Sequence, residues 1–206
     1  MLFRSVHDLR YYHTLNEKHS IVYRVMGGIA VPLKNLSSIP FERSFFAGGA
    51  NGNRAWQART LGPGAYYDPN NFFDKIGDIQ LEGNIEYRFK LISPFEGALF
   101  TDVGNIWVLN EDNRPGSQFK ADKFLGEIAV GGGIGLRVDF SFFIIRLDVA
   151  TQIKNPELPQ GERWLYQKKD IYNNNIEIQN LSKPENAQLS PFKWTQQFNL
   201  GIGYPF

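Results

Sequence analysis

Cysteine is absent from the 206 residues. That excludes a disulfide scaffold and a thiolate zinc site, while saying little about compartment. Histidine is nearly absent: His7, His13 and His19 are the only three, all near the start, so imidazole catalysis or metal binding has nothing to draw on elsewhere. An excess of one charge is missing too, with 22 Lys+Arg against 21 Asp+Glu, which argues against strong electrostatic attraction to nucleic acid. No apolar run reaches the roughly eighteen residues of a transmembrane helix. The most apolar stretch, Phe140 to Ala150, is short and carries Arg146 and Asp148. A secretory signal peptide is not evident, since Arg4, His7, Asp8 and Arg10 follow at once. At face value that start implies a cytosolic protein; the other reading is a piece of something longer.

What is present in quantity is aromatic residues, 15% with 17 Phe, and 20 Gly, yet mean hydropathy is below zero. A chain can be aromatic-rich and polar on average if apolar and polar residues alternate. From Ile79 it reads Ile-Gln-Leu-Glu-Gly-Asn-Ile-Glu-Tyr-Arg-Phe-Lys-Leu. Ile79, Leu81, Gly83, Ile85, Tyr87, Phe89 and Leu91 share one parity; Gln80, Glu82, Asn84, Glu86, Arg88 and Lys90 share the other. Period-two alternation of this length is beyond an amphipathic helix. It also exceeds the five or six residues of an ordinary soluble strand, whereas about nine to eleven tilted residues cross a bilayer.

The same pattern predicts seven long strands: Val6 to Asn16, Ser20 to Leu33, Ile79 to Leu91, Glu96 to Leu109, Glu127 to Phe140, Phe142 to Gln152 and Phe192 to Phe206. Short turns (17–19, 92–95, around Ser141) alternate with long connections (34–78, 110–126, 153–191). That is the layout of an outer-membrane β-barrel; a soluble sandwich would have shorter strands and would rarely gather its long loops at one end. The connection 153–191, with Asn173-Asn174-Asn175, reads equally as a solvated extracellular loop or a disordered insert.

Parity then assigns faces. Ile79 and Leu81 face lipid, while Gln80, Glu82, Glu86 and Arg88 face a wet lumen. On the next strand Leu99, Thr101, Val103, Asn105 and Trp107 point out and Asp102 in, with Phe100 and Ile106 blurring the pattern. Ile134, Leu136, Val138, Ile145, Leu147 and Val149 point out, leaving Arg137, Asp139, Arg146 and Asp148 inside as an ion network. Tyr23, Tyr87, Trp107, Trp194 and Tyr204 suit interfacial girdles or plain strand packing. His7 and His13 share the outward parity, where packing is a better account than ligation.

No nucleophile–base pair, metal-ligand spacing or phosphate loop appears, so neither an enzyme nor a cofactor is expected. Gly131-Gly-Gly-Ile-Gly135 lies inside an alternating strand with no helix after it, which is not a dinucleotide fingerprint. Its glycines suit a bending wall or the close approach of another backbone. Asp139 and Asp148 each follow an inward Arg by two residues, which favours the ion network over acid–base chemistry.

The connection 34–78 contains Phe45-Phe46-Ala-Gly48-Gly49, then Asn53-Arg54-Ala55-Trp56, then Leu61-Gly62-Pro63-Gly64. A loop that merely faced water would not need these aromatics and glycines; they suit a loop folded back into the lumen, with Arg54 at a hairpin-like tip. Here the sequence resembles the outer-membrane assembly factors typified by BamA and TamA. Their inward loop reads Phe-x-x-Gly-Gly, Val-Arg-Gly-Phe and Leu-Gly-Pro in that order; the present chain departs at Asn53, Ala55 and Trp56 and keeps the Arg. Phe100-Thr-Asp102-Val-Gly104-Asn-Ile-Trp107, the hairpin Gly133 to Ala150, and the aromatic-ended strand Phe198-x-Leu200-x-Ile202-x-Tyr204-x-Phe206 are similar to further motifs of the family.

The resemblance implies an all-β, antiparallel transmembrane β-barrel, with this chain supplying the last seven strands of sixteen and residues 34–78 the inward loop. It implies that Arg54 docks on inward acids, for which parity offers Glu86 and Asp102. It further implies assembly and insertion of β-barrel proteins into the outer membrane by strand templating at a lateral seam. The partners would be the lipid bilayer, unfolded barrel clients and periplasmic or lipoprotein assembly factors. The alternatives are a passive porin-like barrel, with Arg54 gating a channel, and a secretion pore. Seven strands do not close a bacterial single-chain barrel, where counts are even and start at about eight. Such a chain pairs its edges with another copy, refolds, or is part of a larger molecule; the last is favoured, with nine more strands, periplasmic domains and a signal peptide expected upstream.

Overall fold

The structure, a computed structural model, describes residues 1–34, 39–67, 75–159, 161–164 and 196–206. Alternation is realised as a single antiparallel meander of seven strands in chain order. They are β1 (Leu2–Asn16), β2 (His19–Pro32), β3 (Ile79–Lys90), β4 (Phe95–Trp107), β5 (Ala129–Asp139), β6 (Ile144–Lys154) and β7 (Gln196–Ile202). A 3₁₀ turn at Phe41–Arg43 and a one-turn helix, α1 (Phe124–Glu127), are the described helical pieces. β1 to β6 run 11 to 15 residues each, long enough to cross a bilayer at a tilt. No described helix is long and apolar enough to do so. Among the described residues no pairing joins β7 to β1, so each keeps one open edge.

The two faces of this sheet reverse the usual order of a protein. Val25, Ile85, Leu99, Ile134, Leu147 and Leu200 stand exposed on one face, Ile134 at 61% and Leu200 at 73%. Glu86, Asp102, Arg137 and Asp148 lie on the other at 0–1% exposure. Water would favour the opposite arrangement, whereas hydrocarbon outside and an ion-paired polar interior explain both faces together. At the short-turn end, aromatic pairs line the apolar face: Tyr11 with Tyr23, His19 with Tyr87, Tyr87 with Phe89, and Phe140 with Phe143. They form the girdle expected where strands leave the hydrocarbon.

The apolar core lies on the polar face, beneath the connection between β2 and β3. Phe45, Ala47, Ala55, Trp56 and Leu61 of that connection pack against Ala30, Phe100, Ile106, Ala129 and Ala150 of the wall. Small residues make the seat. A Cβ at Gly28 would come within 2.6 Å of the Phe45 ring, and one at Gly131 within 2.6 Å of both Ala55 Cβ and Asn53 Oδ1.

Several expectations are corrected. β1 starts at Leu2, four residues before Val6. β5 starts at Ala129 because Glu127 is drawn into α1, where its carboxylate accepts the Trp107 indole N–H at 2.7 Å. Trp107 and Asn105 are therefore buried beneath loops and do not face lipid; Asn105 Nδ2 donates to the carbonyls of Gly64 and Glu127. Phe142 and Phe143 belong to the turn before β6, around Ser141 at φ 72°. β7 ends at Ile202, since Gly203 takes φ 83°. Tyr204 and Phe206 thus leave the strand, and Phe206 is buried at 5% exposure although the alternation gives it the parity of the exposed Phe198, Leu200 and Ile202. Trp194, the stretch 192–195 and Asn173 to Asn175 lie outside the described residues.

Candidate functional site

The loop turns back on itself through Gly48 and Gly49 at φ 94° and 96°, the left-handed region that glycine enters without a Cβ penalty. The Gly49 N–H then donates to the Trp56 carbonyl at 2.8 Å, closing a hairpin-like tip over residues 49–56. Asn53, Arg54, Ala55 and Trp56 are all buried there, Arg54 at 0% exposure.

Strand register gathers the acids around that tip. Asn84 stands opposite Asp102, Glu86 opposite Phe100, and Gly135 opposite Asp148. Arg54 donates from Nε and Nη2 to the two oxygens of Asp102 at 2.8 and 2.9 Å, and its backbone N–H adds a third bond at 3.0 Å. Its Nη1 donates to Glu86 Oε2 at 2.5 Å and lies 3.6 Å from Asp148 Oδ2. The guanidinium carbon sits 3.4 Å from the Phe100 ring centroid. A bidentate fork, a second carboxylate and an aromatic face together fix both position and orientation.

The cluster extends along the wall. Arg137 bonds Asp148 Oδ1 at 2.5 Å and Glu86 Oε2 at 3.1 Å; Arg88 bonds Glu86 Oε1 at 2.8 Å. Arg137 and Arg146 face each other directly across β5 and β6. That placement of like charges is unfavourable, and Asp148 relieves it by taking Arg137 and, at 3.2 Å, Arg146. Four guanidiniums thus share three carboxylates. The surplus cation is met by carbonyl oxygens: Arg146 donates to Ala50 O and to Asn51 Oδ1, each at 3.0 Å. Loop docking and charge balance are therefore one arrangement.

Asp139 stands apart from this network. It lies at the turn end of β5, opposite Ile144, and its Oδ1 caps the Ser141 N–H at 2.7 Å. It shares the parity of Arg137 but lies too far along the strand to join the network. Sequence reasoning also missed Arg24, Asn84, Gln152 and Asn199, which hold loop carbonyls. Arg24 reaches Asn51 O at 3.1 Å, Asn84 reaches Gly52 O at 3.0 Å, Gln152 reaches Ala55 O at 3.4 Å, and Asn199 reaches Arg54 O at 2.9 Å. All four lie on the inward parity, and that was their signal. Of the aromatic-ended strand, Phe198, Leu200 and Ile202 lie together on the exposed face. Tyr204 and Phe206 instead lean across the polar face, Tyr204 Oη donating to Glu96 at 2.9 Å.

At the long-loop end, Lys75 and Glu157 form an ion pair between two connections; burial pushes the Glu157 carboxyl up, against the opposing pull of Lys75. No group of acids and histidines that could hold a metal ion occurs among the described residues.

Comparison with known proteins bears on this geometry. The Omp85 superfamily domain matches residues 1–206. No curated protein matches the sequence. Among solved structures, the chain is similar to BamA from Haemophilus ducreyi lacking POTRA domains 1–3, with TM-score 0.59 and 16% identity over 75% of this chain. The chain covers 32% of that protein's length, about a third of the molecule it resembles. At this identity the likeness is one of fold.

Proposed function

Because this chain belongs to the Omp85 superfamily, we propose that it forms the C-terminal wall of an outer-membrane barrel that assembles other β-barrels and inserts them into the bilayer. The observation that carries the reading is the last strand. β7 is held by β6 on one side and has no described partner on the other. Its apolar face is exposed, with Ile202 at 82%. An open row of backbone N–H and C=O groups at membrane depth is unfavourable in lipid and is a ready template for an incoming strand. A client strand would add there, with no nucleotide or metal involved. Completion of the barrel by further strands beyond β1, and residence in the bacterial outer membrane, belong to the same proposal, as do the unfolded clients and periplasmic or lipoprotein partners.

The passive-pore alternative gains less from the geometry. A selectivity residue must present its field to a permeating solute, but Arg54 is fully buried and bonded to Asp102 and Glu86. The test is depletion of the full-length protein in the cell. Unfolded outer-membrane barrels should accumulate as the protein disappears; normal insertion of those barrels would remove the assembly reading.

A further inference from the structure

The tip of the loop reaches every strand from β2 to β7, and its tie to β7 differs from the rest. β3, β4, β5 and β6 each have a paired strand on both sides. Among the described residues β7 has one ladder, the seven residue pairs from Ile145 with Ile202 to Thr151 with Gln196. Its polar face adds Asn199, whose Nδ2 donates to the Arg54 carbonyl at 2.9 Å. The guanidinium of the same Arg54 is clamped on Asp102 of β4 and Glu86 of β3. One residue therefore brackets the two ends of a run of strands, its side chain held at β3 and β4 and its backbone at β7.

Two neighbouring features reinforce the bracket. Gly201 is the next residue on the inward parity, opposite Arg146. A Cβ there would stand 2.7 Å from Arg146 Nη2, the group that holds Ala50 O and Asn51 Oδ1. The missing side chain lets Arg146 lie over β7 while gripping the tip. Beyond Gly203 the chain leans the same way. Arg88 Nη2 donates to Phe206 O at 3.4 Å, and the Phe206 ring centroid is 5.5 Å from the Arg54 guanidinium carbon.

We propose that Asn199 is a positioning residue that ties the open-edged strand β7 to the loop tip through the Arg54 carbonyl, so that the seating of the loop sets the stability of the strand at the seam. Its role in assembly rests on the function proposed above; the tie itself does not. Coupling of this kind is reciprocal: loosening Asn199 loosens the tip, and unseating Arg54 loosens β7.

Hydrogen exchange on the full-length folded protein in lipid vesicles tests this. In Asn199→Ala, exchange of β7 amides should rise about fivefold, the equivalent of one ordinary hydrogen bond. The Gly49 amide at the loop tip should rise with it, while β3 and β4 stay at wild-type rates. Asn199→Gln, which retains an amide donor, should restore most of the protection. Where the alanine variant does not fold, Asn199→Asp keeps the size, removes the donor and carries the same expectation. Unchanged β7 exchange, or a rise spread evenly over all strands, overturns the proposal. Client insertion by wild-type vesicles is read separately. No insertion with localised exchange changes removes the assembly reading and leaves the tie; insertion without those changes does the reverse.

Discussion

Arg54 shows how one side chain can hold a long loop inside a wall of strands. Its fork is satisfied by Asp102, its remaining nitrogen by Glu86, and its flat face by Phe100. Desolvating such a cation is unfavourable in itself, so the arrangement is better understood as fixing a position than as adding stability. Its removal is another matter, because Asp102 would remain buried without its cation, while Glu86 would keep Arg88 and Arg137. Arg54→Ala should therefore destabilise the folded barrel by about 3–5 kcal/mol. On gels the full-length variant should lose its folded mobility at a clearly lower temperature than wild type. Arg54→Lys restores the charge without the fork and should recover only part of the difference. Wild-type heat-modifiability in Arg54→Ala would show that docking of the loop does not depend on this residue.

At the scale of the element, β5 is a wall segment whose inward face is mostly vacant. Gly131, Gly133 and Gly135 share the parity of Arg137, and each leaves space that something else fills. The Ala55 Cβ and Asn53 Oδ1 stand beside Gly131, the Phe100 ring beside Gly133, and the Arg137 and Asp148 side chains beside Gly135. Gly131→Val should push the loop tip off its seat, an overpacking of about 1–3 kcal/mol. Limited proteolysis within residues 49–60 of the full-length variant should then become faster while β6 and β7 stay intact; unaltered resistance would mean the tip has another seat. How far such elements are legible in a sequence depends on range. Period-two alternation is local, so Ile134, Leu136 and Leu147 were placed outside, and Arg137 and Asp148 inside, from the residues alone. Parity likewise put Glu86 and Asp102 on the side of the loop that carries Arg54. Trp107 and Asn105 misled because their cover comes from α1 and the loop glycines, which alternation does not register. Phe206 misled because one positive φ at Gly203 ends the strand, and Asp139 because parity gives a face but no height along it.

Across the whole molecule, the composition that looked contradictory becomes a spatial statement. Exposed aromatic and aliphatic residues occupy the exterior face and its girdle; the interior holds the apolar seat of the loop and nearly balanced charges, where Arg54, Arg88, Arg137 and Arg146 meet Glu86, Asp102 and Asp148. The absence of a long apolar helix and the absence of a dominant charge are two consequences of that arrangement. On the proposed reading, the two edges without a described partner, β1 and β7, meet the rest of the protein's own barrel, with the seam at β7 open to a client. Folding of an unfolded barrel client into lipid vesicles, with and without the reconstituted full-length protein, tests this most directly. The account predicts that clients fold several-fold faster in vesicles that contain the protein, and that the acceleration is lost when the free edge of β7 is cross-linked shut. Equal folding rates in loaded and empty vesicles would contradict it.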